Sequence, residues 1–135
     1  MKARVLAALI SAFALRASAQ APSWTEQPAQ LATATGTLVG SLIVPSGAPK
    51  SPLVVIIAGS GPTDRDGNGP TVNPNNLKQI AEGLADRGIA SVRYDKRGIA
   101  GSMGAATTED RLRFDMYADD AAAWVRQYRS DARFG

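Results

Sequence analysis

Two glycine-bearing turns hold the residues whose types and spacing could do chemistry. The first is Gly59-Ser60-Gly61-Pro62-Thr63-Asp64-Arg65-Asp66-Gly67-Asn68, directly after the apolar run Leu53-Val54-Val55-Ile56-Ile57. A glycine-rich turn at the carboxyl end of a parallel strand is where α/β proteins place ligand sites. Its exposed backbone N–H groups could face a developing negative charge, as an oxyanion loop does. A plain tight turn would use the same glycines. The Lys-Ser/Thr of a phosphate-binding P-loop is absent, and so is the G-x-G-x-x-G spacing of a dinucleotide site. Asp64, Asp66, Asn68 and Gly69 read like the opening of a calcium loop. Asn75 stands where the closing glutamate is needed, and the segment follows a strand instead of a helix. No metal and no cofactor is expected.

The second turn is Tyr94-Asp95-Lys96-Arg97-Gly98-Ile99-Ala100-Gly101-Ser102, after a second apolar run that starts at Ile89. On residue types alone it reads as a charged, salt-bridged loop. Within it and just beyond, Ala100-Gly101-Ser102-Met103-Gly104 is close to a G-x-S-x-G nucleophile elbow, with Ala for the first Gly. An elbow needs a strand immediately before the serine and a helix immediately after, and this segment offers neither. The chain also contains no histidine, so nothing here can activate Ser102 in a Ser-His-acid mechanism. No catalytic residue is assigned. With no cysteine either, disulfides and thiolate metal sites are excluded.

The elements that must position these turns follow from pattern. Ala29 to Pro45 is rich in Thr, Val, Leu and Ile, with Leu38, Leu42 and Val44 at period two. That predicts a hairpin turning near Thr35-Gly36. Ser46 to Pro52 reads as a loop. Leu53–Ile57 is an unalternating, β-branched run, as expected of a strand buried on both faces in a parallel sheet. Asn73 as cap and Pro74 at the first position predict a helix whose apolar face is Leu77, Ile80, Ala81 and Leu84. Gly88 ends it, and Ile89–Tyr94 follows as another buried strand. Strand, helix and strand make a βαβ unit. A last helix carries Phe114, Tyr117, Ala118, Ala121, Val125 and Tyr128 at helical spacing. No strand is expected after it.

The 135 residues suit one domain. Met1 to Ala19 has a basic start, an apolar run from Val5 to Leu15 and the small triplet Ala17-Ser18-Ala19. This is the pattern of a secretory signal peptide cleaved after Ala19, too short to span a membrane. Export to the periplasm or the cell exterior is the expectation. Cleavage removes Lys2, Arg4 and Arg16, leaving 12 basic against 12 acidic residues. The overall charge of +3 therefore belongs to the leader, and no basic cluster remains for nucleic acid. Residues 20–28 read as a mobile lead-in.

Taken together, these stretches resemble the N-terminal half of an α/β-hydrolase of the exported serine-hydrolase group, the serine aminopeptidase-like or acyl-esterase-like proteins. The resemblance is carried by the turn from Gly59 to Asn68, Asn76-Leu77-Lys78, Arg93-Tyr94-Asp95-Lys96-Arg97-Gly98 with Ser102, Asp119-Asp120-Ala121, Trp124-Val125 and Arg133-Phe134-Gly135. It implies an α/β class chain: a partial α/β-hydrolase fold over residues 29–135, with an N-terminal hairpin, a βαβ unit and one further helix. It also implies that Ser60 offers its backbone N–H to an oxyanion, within an oxyanion loop that includes Gly59 and Gly61. The turn of Asp95, Arg97 and Gly98 borders the site and is mainly structural. The family's nucleophile elbow, acid and histidine would all lie beyond Gly135. The chain is thus expected to be a non-catalytic fragment of a secreted hydrolase acting on small esters or amides. The alternative is a stand-alone binding or structural module of the same ancestry. Substrate and oligomeric state have no sequence signal.

Overall fold

The computed structural model describes residues 23–47, 49–106 and 108–135. The expected signal peptide, residues 1–19, lies outside the described residues. Strands β1 (Trp24–Thr33) and β2 (Gly36–Pro45) form the predicted antiparallel hairpin. Thr33 faces Gly36 across the turn, so the reversal is made by Ala34-Thr35. The strand begins earlier than the lead-in reading allowed, because Trp24 has a place to go. Its ring packs by Ile43, and its Nε1 donates to Asp86 Oδ1 at 3.1 Å. Pro28 sits within β1 without cost because β1 is an edge strand and loses no inner ladder bond.

Strand β3 (Leu53–Ile57) and strand β4 (Ala90–Tyr94) pair in parallel, with helix α1 (Asn76–Ala85) between them in the chain. This is the predicted βαβ unit. The sheet has four strands in the order β1-β2-β4-β3. Every residue of β4 is buried. β3 is different: it lies at the edge, and Val54 and Ile57 are 39% and 50% exposed. The expectation of a strand buried on both faces is therefore met by β4 and corrected for β3. An apolar run records the need for cover, while the cover itself depends on a neighbouring strand.

Helix α1 starts later than predicted. Asn73 and Pro74 stay in the loop, and Asn75 precedes the helix in a left-handed conformation, φ 52°. Its amide group is held by Asn68: Asn68 Nδ2 donates to Asn75 Oδ1 at 2.9 Å, and Asn75 N to Asn68 Oδ1 at 3.0 Å. The first-turn N–H groups of Leu77 and Lys78 donate to the carbonyl of Asp66 instead of to a local cap. At the other end Gly88 takes φ 78°, with Gly88 N bonded to Ala85 O and Ile89 N to Leu84 O. That paired closure needs a residue tolerant of the left-handed region, as the sequence indicated.

α1 covers one face of the sheet through Ala81 and Ala85 against Ile43. Ile80, placed on this face by its spacing, is 51% exposed. Helix α2 (Phe114–Arg129) covers the other face, where Leu38, Leu42, Val92, Tyr94, Trp124 and Tyr128 form the larger core. Its buried stripe is Asp120, Trp124 and Tyr128, whereas Phe114 and Val125 are exposed and Ala118 faces out. The aromatic rings explain the choice. Trp124 lies 5.4 Å from Tyr94 and 6.2 Å from Tyr128, which meets Phe134 edge-on at 5.7 Å. Such contacts add to simple area burial. Beyond α2 the chain turns and Phe134 forms a parallel bridge with Ser51. Ser51 N donates to Arg133 O and Gly135 N to Ser51 O. No strand follows the last helix among the described residues, as expected, and this single bridge at the head of β3 is the pairing made there. Among the described residues no helix is long and apolar enough to cross a membrane.

Candidate active-site loop

Parallel pairing of β3 and β4, with Ile57 opposite Tyr94, brings the two chemistry-bearing turns to the same end of the sheet. The chain leaves β3 through Ala58, which is buried, into Gly59, Ser60 and Gly61, which are exposed. Gly61 has φ 78°, so the turn reverses there in a conformation that a side chain would strain. β4 leads into Asp95-Lys96-Arg97-Gly98. Between the turns lies a cavity of about 650 Å³, lined by Gly59, Ser60, Gly61, Lys96, Arg97 and Gly98 on its turn side. Its other wall is apolar: Ile57, Ile99, Leu112, Phe114 and Tyr117. The six residues singled out in the sequence are thus sorted: Ser60, Gly59, Gly61, Arg97 and Gly98 meet at the cavity, and Asp95 stands behind it.

Asp95 is fully buried and acceptor-only in its role. One oxygen takes the backbone N–H of Arg65 at 2.7 Å, and the other takes Gly101 N at 2.9 Å and Arg65 Nη1 at 2.5 Å. One carboxylate therefore ties the first turn to the second. Arg97 turns inward and binds Asp120 of α2 with two nitrogens, each at 2.6 Å. It also donates to Thr35 of the hairpin turn. Lys96 remains half-buried at the cavity, and its Nζ donates to the carbonyls of Gly59 and Gly61, the latter at 3.1 Å. Burial holds its pKa below the ordinary lysine value. The Ser60 backbone N–H has no hydrogen-bond partner among the described residues.

Ser102 is fully buried and does not line the cavity. Its Oγ donates to Asp95 O at 2.8 Å and accepts from Val39 N at 2.9 Å, so it staples the second turn to β2. The acidic run of the first turn is equally committed. Asp64 Oδ1 accepts from Asp66 N and Asn68 N, and Asp66 pairs with Arg93 at 2.8 Å. Among the described residues there is no cluster able to hold a metal. Sequence reasoning missed Arg65 and Arg93 as organisers of the loop. Arg93 carried a signal, since an arginine inside the buried run Ala90-Ser91-Val92-Arg93-Tyr94 demands charged partners, here the partly exposed Glu26 and Asp66.

No protein-family model matches the chain. Over 61 residues it is 44% identical to the esterase EstD of Thermotoga maritima, a stretch that is 44% of this chain and 14% of that protein. Two solved structures are similar in fold. One is a cold-adapted esterase from an Arctic intertidal metagenomic library, with TM-score 0.54 and 19% identity over 86% of this chain and 50% of that one. The other is a brefeldin A esterase, described as a bacterial homologue of human hormone-sensitive lipase, with TM-score 0.52 and 21% identity. There the likeness covers 90% of this chain and 32% of that one. The chain therefore spans half or less of the length of each of these three proteins.

Proposed function

We propose, from the premise that this chain carries part of an α/β-hydrolase fold, that it is the oxyanion-loop portion of a serine hydrolase that cleaves small esters or amides by acyl transfer. The observation that carries the proposal is the pairing of two turns at one sheet end around a largely apolar cavity, with the Ser60 N–H unengaged among the described residues. An oxyanion donor must be preorganised and must not be spent on the protein itself. The apolar wall suits the hydrocarbon of an acyl or leaving group. Relatives that bear the name esterase support the ester half of the reading.

In this reading the chain supplies a donor and a binding wall, and no nucleophile. Ser102 is sealed in, and the chain has no histidine. Those groups belong to a longer chain, in which a further strand lies along the open edge of β3. The exposed Val54 and Ile57 of that edge support this placement, as does the parallel Ser51–Phe134 bridge at its head. The residues before Gln20 serve as an export leader, giving a secreted or periplasmic protein; intact mass of exported material should begin at Gln20, and retained Met1 defeats that assignment. The test of function is to read the coding DNA past Gly135. A frame that encodes Gly-x-Ser-x-Gly and a later histidine, and whose product turns over p-nitrophenyl esters, supports the proposal. Unrelated downstream sequence after a stop codon refutes it and leaves a stand-alone binding module.

A further inference from the structure

Resting on the oxyanion-loop reading, we infer that Lys96 is a positioning residue that aims the Ser60 N–H by gripping the other side of the same peptide group. The contact that matters is Lys96 Nζ to the carbonyl of Gly59. That carbonyl and the Ser60 N–H belong to one peptide unit. The unit is planar and trans, with no cis bond in the described chain, so its C=O and N–H point in opposite directions. Pulling the oxygen toward the ammonium turns the N–H away from it. The second contact, to Gly61 O at 3.1 Å, involves a peptide whose nitrogen belongs to Pro62 and carries no hydrogen. It contributes a second anchor and no second donor, so the strap orients one N–H in particular.

The loop has reason to need the strap. Gly59, Ser60 and Gly61 are exposed, and a Cβ built at Gly59 or Gly61 would touch nothing. Two glycines flanking the donor leave its backbone with wide freedom. Among the described residues, the side-chain hydrogen bonds that reach this stretch are those from Lys96 and the one from Thr63 Oγ1 to Ser60 O. Lys96 itself is set by its neighbours: Asp95 is buried on one side, Arg97 is locked to Asp120 on the other, and Ile99 N bonds back to Lys96 O at 3.0 Å. Its stem is thus anchored on a rigid turn. A compact ammonium with three donors can serve two carbonyls at once.

The test reads the Ser60 amide in the 135-residue chain by NMR and needs no ester turnover, so it can fail while the function stands, and the reverse. In the unaltered chain the Ser60 N–H order parameter should be near the rigid-backbone value of about 0.85, and in Lys96→Met it should fall below about 0.6. Lys96→Arg, which keeps charge and donors, should restore it. Amides of Leu42 and Val92 in the core report folding and should not move. A Ser60 amide that stays ordered in Lys96→Met with those core signals intact overturns the inference. So does failure of Lys96→Arg to restore order in a folded chain. If Lys96→Met unfolds the chain, Lys96→Leu, which keeps an apolar side chain and has no donor, takes its place under the same criteria.

Discussion

Arg97 and Asp120 face each other as a two-pronged ion pair, both prongs at 2.6 Å and both side chains buried. The pair fixes α2 against the turn that follows β4. It also explains the rotation of α2, because a helix that must bury Asp120 cannot also bury Val125 and Phe114.

Removing one partner of such a pair strands a buried charge. Asp120→Ala is expected to cost about 3–5 kcal/mol, a large part of the stability of a small domain. Arg97→Met combined with Asp120→Leu should recover much of the loss, since two apolar side chains leave no unpaired charge. Urea midpoints of the single and double variants check this. Equal losses in all of them would show that the pair matters only through packing.

Tyr94 predicts a stability loss at high pH. Burial, with the nearby Asp120 charge, pushes its phenol up to about 12 from an ordinary 10.0. Below pH 10 the folded and unfolded chains both hold the proton. Between about 10 and 12 the unfolded chain releases it and the folded chain does not, so stability falls as pH rises. The full loss is on the order of 2–3 kcal/mol. Comparing unfolding midpoints of Tyr94→Phe and the unaltered chain from pH 9 to 12 should isolate that slope in their difference.

The hairpin, the βαβ unit and Gly88 were legible because their signals are local: alternation, a β-branched run, a residue tolerant of positive φ. The α2 stripe was not, because its burial is decided by Arg97, which lies outside the helix. β3 was misjudged for a related reason, its hydrophobicity being written for a neighbour. At the site, the glycines of the first turn advertised a bend, whereas the roles of Arg65 and Lys96 depend on turns that meet only after β3 and β4 pair.

The donor assignment separates two substitutions at one position. In a longer, ester-cleaving chain, Ser60→Ala should leave kcat/KM nearly unchanged, because the backbone N–H survives. Ser60→Pro deletes that donor and should cost ~10²–10³ in rate. Loss of activity in a folded Ser60→Ala enzyme would give the role to the hydroxyl instead.

The 135-residue chain itself should show no burst with p-nitrophenyl acetate. Ser102→Ala should act on stability alone, costing about 1–3 kcal/mol by leaving Val39 N without its partner. A burst abolished by that substitution would make Ser102 a nucleophile after all.

The open edge of β3 should make the chain self-associate. Unpaired N–H and C=O groups beside exposed Val54 and Ile57 are the arrangement natural sheets guard against. Ile57→Lys should shift the size-exclusion profile toward monomer. A monomeric unaltered chain with a sharp, reversible melt would show that the edge is silent and favour a stand-alone module.

The bridge between Ser51 and Phe134 has a kinetic meaning. Bringing two such distant points of a chain together carries an entropic cost that is met once, when α2 lays the chain down beside β3. Any extended segment that continues from this contact starts in register, with its first rung made. Each residue added along β3 then gains ladder bonds without another search, so pairing there would proceed as a zipper that has already closed its first tooth.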